Sequence, residues 1–260
     1  LLASFEAERF ALLFMVPRSH LAVSTGMEVK EMACTIGAIS RDGKIFLLKN
    51  FDFSVVPVSW AEFRCIQGYD HFALIDHDQQ GVNSGLNNRG LGLVISYSDI
   101  GKGGEEKRTI LNAEILSRYD NVEEAVQRIK EYAEANPDMI GGNVILADPH
   151  KIAVVEYFGG KTASDMIEEG YLARANHSIF GIVDNTTDNS QKRYKSMCSF
   201  LEDLLRDLPP EGEVIERCKQ RLRSKPILNE NTRSSFVVYV QDGRIDYKIE
   251  DKEWRVRRGV

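Results

Sequence analysis

The feature that most constrains this chain is a cysteine at the mouth of an apolar run, Met32-Ala33-Cys34-Thr35-Ile36-Gly37-Ala38-Ile39. Four residues later a second run begins, Lys44-Ile45-Phe46-Leu47-Leu48, and it ends in Lys49-Asn50-Phe51-Asp52. The intervening Ser40-Arg41-Asp42-Gly43 has the composition of a hairpin turn, with Asp-Gly at its tip. Pairing the two runs antiparallel brings Cys34 to the same end of the hairpin as Lys49 and Asp52. A thiol, a cation and a carboxylate then share one strand end, and the rest of the chain must be searched for whatever completes a site there.

Bulk properties narrow the search. The chain has 260 residues, 43% of them hydrophobic, and a net charge of -6 with both signs mixed along its length. That length suits one large domain or two small ones, and the charge offers no basic face for nucleic acid. The cysteines at 34, 65, 198 and 218 form no CxxC pair, and the histidines form no HExxH array. Free thiols are therefore expected, with neither a metal nor a cofactor. No apolar segment is long enough to span a bilayer. The short run at residues 10–16 follows Glu6, Glu8 and Arg9 and not a basic cluster, so a helix is favoured there over an export signal. The expected localisation is cytoplasmic, with export left open. Beginning on Leu1, the chain is compatible with a natural start further upstream.

In order, residues 1–15 read as a helix ended by Pro17, and residues 18–31 as a linker to the hairpin. Residues 54–60 fit a loop or edge strand, because Pro57 cannot feed a central ladder. Short strands are expected at 63–66 and 71–75, a turn-rich stretch at 81–92, and a buried strand at 91–97. Residues 98–107 form the most loop-like stretch and a candidate lid over substrate. Helices follow at 108–119, with Ile110, Leu111, Ile115 and Leu116 at helical spacing, and after a cap at Asp120 or Asn121, up to Pro137. Strands return at 143–147, 152–158, 163–168 and 171–175. Ser190 is expected to cap a helix running to about residue 208, a shorter helix covers 213–222, and a terminal hairpin joins 234–240 to 244–249, extended or covered by 254–256. Packing these patterns gives an α+β protein with antiparallel sheets and helices outside them.

Chemistry alone leaves Cys34 ambiguous. A cysteine is often a small buried hydrophobe, and as a nucleophile it needs a base to form the thiolate. Histidine is the usual base, yet none of His71, His77, His150 or His177 has a sequence-level claim on Cys34. If Cys34 became N-terminal, its own α-amine, with a reference pKa of about 7.7–8.0, could take the proton.

The order of features resembles that of the N-terminal nucleophile hydrolases, in the branch of choloylglycine hydrolases, penicillin V acylases and isopenicillin-N acyltransferase. In that branch a precursor cuts itself before a cysteine at the start of a hairpin, which places the cut between Ala33 and Cys34. The branch's arginine-asparagine-x-aspartate segment is matched by Lys49-Asn50-Phe51-Asp52. Lys49 departs from the usual arginine, keeping its charge without its planar fork. Leu86-Asn87-Asn88-Arg89-Gly90-Leu91 is similar to an asparagine-x-x-glycine-leucine turn, Arg174-Ala175-Asn176-His177 to a threonine-asparagine-histidine segment, and Ser190-Gln191-Lys192-Arg193-Tyr194 to a serine-x-x-arginine helix start. The resemblance covers most of residues 34–249.

The resemblance implies a four-layer αββα sandwich of two antiparallel sheets flanked by helices. Residues 1–33 would be an N-terminal helical segment or propeptide, and 34–260 the catalytic domain. Cys34 would be the nucleophile, Asp52 would hold its α-ammonium, Asn176 would donate to the oxyanion, and Arg193 would lie near Asp52 and the thiol. The implied activity is a self-processing cysteine amidohydrolase acting on a small-molecule N-acyl amide through a thioester. An acyltransferase, or a binding or scaffold protein on the same fold, is the alternative. A homo-oligomer is compatible with this reading. Asn176 as a turn cap, Arg193 as a solvated helix residue and Lys49 as a surface charge are the bland readings.

Overall fold

The structure, a computed structural model, describes residues 34–52, 58–76, 81–98, 107–241, 244–250 and 254–258, with side chains through Gln241. The expected first helix, the linker after it and most of the candidate lid lie outside the described residues.

Alternation along the first hairpin sets the frame. β1 (Thr35–Arg41) and β2 (Lys44–Asp52) pair antiparallel from Thr35↔Asn50 to Arg41↔Lys44. Asp42 and Gly43 turn with φ of 53° and 68°, the doubly positive geometry that matches hairpin twist. β2 pairs on its other side with β11 (Thr232–Gln241), and β1 with β10 (Gly170–Arg174). With β12 (Arg244–Glu250) and β13 (Trp254–Arg258) they form a sheet of order β10-β1-β2-β11-β12-β13.

The second sheet is a meander in chain order: β3 (Val58–Phe63), β4 (His71–Asp76), β5 (Gly81–Asn87), β6 (Gly92–Tyr97), β7 (Gly142–Ala147), β8 (Ile152–Phe158) and β9 (Lys161–Ile167). One face of each sheet meets the other. Ile36, Ala38, Ile45 and Leu47 pack in one cluster with Leu86, Val94, Ile145 and Val154. The opposite faces take helices. α1 (Arg108–Arg118) and α2 (Val122–Ala135) bury Leu111, Ile115, Val126 and Ile129 with Leu93, Ile95 and Val144. α3 (Asp188–Arg206) and α4 (Glu211–Leu222) bury Met197, Leu201, Ile215 and Cys218 with Phe46, Leu48 and Val237. The result is the expected αββα sandwich of antiparallel sheets. Gly37 lets α3 come close to β1: a Cβ there would stand 3.0 Å from Leu201 and 3.2 Å from Met197.

Several boundaries differ from expectation. The separate strand expected at 63–66 does not form: β3, an edge strand overlapping the stretch 54–60 read as loop or edge strand, ends at Phe63, and Ile66 is fully exposed in the loop beyond it. Glycine- and asparagine-rich residues 81–87 are a buried strand and not a turn. Asn112 Nδ2 donates to the Val82 and Asn83 carbonyls, and at Gly85 a Cβ would stand 2.4 Å from the Phe72 carbonyl oxygen. Neighbouring backbone thus uses the small residues that local propensity assigns to turns. Ile110 faces solvent, so the buried stripe of α1 runs through Leu111 and Ile115. Thr187, and not Ser190, caps α3, accepting from the Ser190 amide at 3.2 Å. Asn121 caps α2, accepting from Glu124 at 2.9 Å. Among the described residues no helix is long and apolar enough to cross a membrane, and no cluster of His, Cys, Asp and Glu could hold a metal ion.

Candidate active site

Cys34 stands one residue before β1 and is buried, packed with Phe51 and Leu74 from the two sheets. Continuing the β1–β2 register places it across from Phe51, with Lys49 and Asp52 close by on β2. Burial raises the thiol pKa above its ordinary value, and the charge of Asp52 adds to that. Lys49, Arg193 and a hydrogen bond from the Asp52 backbone amide act the other way.

Successive residues at the end of β2 serve different layers, because side chains alternate along a strand. Lys49 points between the sheets, is fully buried and donates to the Ile95 carbonyl on β6. Its Nζ lies 5.5 Å from the centre of the Phe51 ring. Burial pushes its pKa down to about 8; Cys34, Asp76 and Asp52 oppose that shift, while Arg108 deepens it. The reading of Lys49 as a surface charge is overturned. Asn50 points the other way, donating to the Leu222 carbonyl at 2.9 Å and to Ile227 at 3.3 Å, so it secures the end of α4. Asp52 is paired with Thr232 in the β2–β11 ladder and accepts from Thr232 Oγ1 at 2.5 Å and Asn229 Nδ2 at 2.6 Å. Desolvation outweighs these neutral donors and lifts its pKa to about 6.

Asn176 follows β10 and is fixed through every polar group it carries. Its amide donates to Ser190 Oγ at 2.8 Å, and its carbonyl accepts from Asn185 Nδ2 at 3.3 Å. Oδ1 accepts from Arg193 Nη2 at 3.0 Å, and Nδ2 donates to the Tyr97 carbonyl at 2.9 Å. Since a guanidinium only donates, Arg193 fixes which end of the amide is the donor, and one N–H of Nδ2 is left for another acceptor. The preceding Ala175 carbonyl is held by Ser96 Oγ at 2.5 Å and Asn143 Nδ2 at 2.9 Å. Residues 95–97 of β6 therefore bind Lys49, Ala175 and Asn176 of the facing sheet's strands and their ends.

Arg193, one turn into α3, is buried and not solvated. Its Nη1 donates to the Cys34 carbonyl at 2.6 Å and to Thr35 Oγ1 at 3.1 Å. Its charge also lowers the Asp52 pKa. Asn87 is turn chemistry: Oδ1 accepts from the amides of Arg89 and Leu91, and Nδ2 from its other end binds the Leu116 and Tyr119 carbonyls at the end of α1. His177 is bound to Ser190 Oγ at 2.6 Å through Nδ1, and His71 lies 3.8 Å from Cys65. His77 lies outside the described residues.

Sequence reasoning missed four participants. Asn229 and Thr232 hold Asp52, and no pattern links a loop residue at 229 to a strand end at 52. Arg108 is fully buried with its guanidinium 3.8 Å from the Tyr97 ring centre. Asp76 is buried at the end of β4. Arg108 opens a helix and Asp76 closes a strand, positions where charge is ordinarily solvated.

Residues 39–237 match the family model described as acyl-coenzyme A:6-aminopenicillanic acid acyl-transferase. The chain belongs to this family. The matched span includes Lys49, Asp52, Asn176 and Arg193 and begins after Cys34. No curated protein matches the sequence. Solved structures share the family's fold at low identity. A penicillin V acylase from Agrobacterium tumefaciens has a TM-score of 0.57 and 16% identity over 86% of this chain and 84% of its own. A Caenorhabditis elegans ortholog of N-acylethanolamine-hydrolyzing acid amidase has a TM-score of 0.58 and 14% identity, covering 81% and 93%. A conjugated bile acid hydrolase from Clostridium perfringens has a TM-score of 0.54 and 14% identity, covering 86% and 92%. Membership carries with it the N-terminal nucleophile architecture and chemistry at an amide bond.

Proposed function

We propose that the protein is a self-processing cysteine amidohydrolase, with residues 1–33 as the segment removed and 34–260 as the catalytic domain. The observation that carries this reading is Arg193 joining the Cys34 carbonyl to the Asn176 side chain within one buried cluster. It supports a site in which nucleophile and oxyanion donor are held by the same cation.

In the uncut chain the Cys34 thiolate attacks the Ala33 carbonyl carbon. The C–N bond breaks, the amine is freed and Ala33 is carried as a thioester until water releases it. Mature Cys34 then repeats the attack on the carbonyl of a small-molecule N-acyl amide. The free N–H of Asn176 Nδ2 stabilises the developing oxyanion, an interaction worth about 2.7–4 kcal/mol where such donors have been removed. Asp52 holds the new α-ammonium beside the sulfur. The α-amine carries the proton from thiol to leaving amine, and water closes the cycle by hydrolysing the thioester. Because the matching family is described as an acyl-transferase, interception of that thioester by an amine is the second reading.

Intact-mass analysis of freshly synthesised protein tests the proposal. Wild type is expected as two fragments split before Cys34, and Cys34→Ala as one full-length chain. A wild-type chain that stays whole, with no thiol labelling at Cys34, would instead identify a scaffold on the same fold.

A further inference from the structure

We propose that Lys49 is the proton acceptor for the Cys34 thiol in the uncut chain, before an α-amine exists. This rests on the reading of Cys34 as nucleophile and adds to it a base for the first cut. The need is chemical: the α-nitrogen of Cys34 is then an amide, which cannot take a proton from sulfur. Burial of Cys34 works against spontaneous ionisation. Among the described histidines, His177 is held by Ser190, His71 lies beside Cys65, and His150 sits in the turn between β7 and β8.

Strand register brings Lys49 to the neighbourhood of the sulfur. It lies on the strand paired with the one Cys34 opens, diagonal to the sulfur on the face between the sheets, and both pack against Phe51. Cys34 is the largest charge influence on Lys49, and Lys49 the largest on Cys34. The other charged groups acting on the ammonium are Asp76 from β4, Arg108 from α1 and Asp52 from its own strand. Its Ile95 carbonyl partner is neutral and accepts from either protonation state. An ammonium depressed to about 8 leaves roughly one Lys49 in ten neutral at pH 7. The departure from arginine at this position thereby gains a purpose, because arginine cannot be deprotonated in a protein and so cannot be a base.

The proton balance closes on Lys49 itself. Neutral Nζ takes the Sγ proton, directly or through one water, and becomes ammonium. The thiolate forms the S–C bond to the Ala33 carbonyl, whose π pair moves to oxygen. Collapse of that intermediate breaks the C–N bond, and Nζ returns the proton to the departing Cys34 nitrogen. Lys49 ends neutral, with no external acid or base consumed.

The test is cell-free synthesis followed by intact-mass time courses between pH 6 and 9.5, for wild type, Lys49→Arg and Lys49→Met. The wild-type cutting rate is expected to rise with pH and level off near 8. Both variants should cut at least ~100-fold more slowly and lack that limb, the low end of what a general base contributes. Lys49→Arg cutting at close to the wild-type rate would overturn the proposal, since arginine supplies charge without proton transfer. Iodoacetamide labelling of Cys34 on uncut chains gives a second measurement independent of cutting. Its pH limb should lie higher in Lys49→Met than in wild type, because the variant loses the group that eases thiol ionisation, and an unmoved limb overturns the proposal. If wild type never cuts, the self-processing reading fails, and with it this role for Lys49; a labelling limb that still shifts in Lys49→Met would then show only the charge coupling between Lys49 and Cys34.

Discussion

Glu156 on β8 and Lys49 on β2 are both buried charges between layers, and their surroundings differ in kind. Glu156 accepts from Arg174 Nε at 2.6 Å, from Ser178 Oγ at 2.6 Å, and from the amides of Ile179 and Phe180 at 3.0–3.2 Å. Arg174 has a further acceptor in the Ala173 carbonyl at 2.7 Å. Charge meets opposite charge there, and donors fill both carboxylate oxygens. Lys49 donates to a neutral carbonyl, and Asp52 beside it accepts from a neutral hydroxyl and a neutral amide. Burial is therefore uncompensated enough to push Lys49 down to about 8 and Asp52 up to about 6. The first cluster fixes the chain from β10 into the loop after Asn176. The second keeps two groups close to their titration points, which costs stability and suits proton transfer.

The sharpest way to break this contrast is Glu156→Gln. Removing one partner of a buried ion pair should cost about 3–5 kcal/mol, read as a lower midpoint in urea unfolding. A loss under 1 kcal/mol would mean the pair is not structural. Lys49→Met should behave oppositely, with unfolding at pH 7 no easier than in wild type. Unfolding stability against pH sharpens the point. Asp52 is raised from 3.8, so its contribution is full below about 4 and lost as pH rises through about 6. Lys49 is lowered from 10.5, so its contribution is full above that value and lost as pH falls through about 8. Relative to Asp52→Asn, wild type should lose about 2–3 kcal/mol between pH 4 and 7, and relative to Lys49→Met a similar amount between pH 10 and 7. Parallel curves for wild type and variants would refute uncompensated burial.

A smaller effect is expected at Ser190. It holds the Asn176 amide, so Ser190→Ala should lower kcat about tenfold, one hydrogen bond's worth, with KM little changed. A change in KM alone would argue against positioning. The smallest is Gly37→Ala. Its Cβ would press on the flexible ends of Leu201 and Met197, costing about 1 kcal/mol as α3 and Arg193 shift slightly.

Much of the fold is legible where local and tertiary preferences coincide. The hairpin about Asp42-Gly43, the helices after Asn121 and before Pro209, and the pair β7–β8 announce themselves by turn chemistry and periodicity. Legibility fails where a neighbour supplies what the segment lacks. Residues 81–87 look like a turn because their small side chains are needed for close backbone approach and not for bending. β9 and β10 read as two consecutive strands, yet they are edges of different sheets. Their local signals are alike, and only the choice of partner separates them.

The cysteine at the hairpin's mouth, with Lys49 and Asp52 at the same end, was determined by sequence alone, because a two-residue turn and strict alternation leave one register that buries both apolar faces. Tertiary structure decided what those residues experience. It placed Lys49 beneath a neutral carbonyl of the second sheet, supplied Asp52 with donors from residues 229 and 232, and brought Arg193 from α3 to the Cys34 carbonyl. Proton affinities depend on burial and on partners distant in the chain, and neither is encoded in the spacing of the residues that titrate.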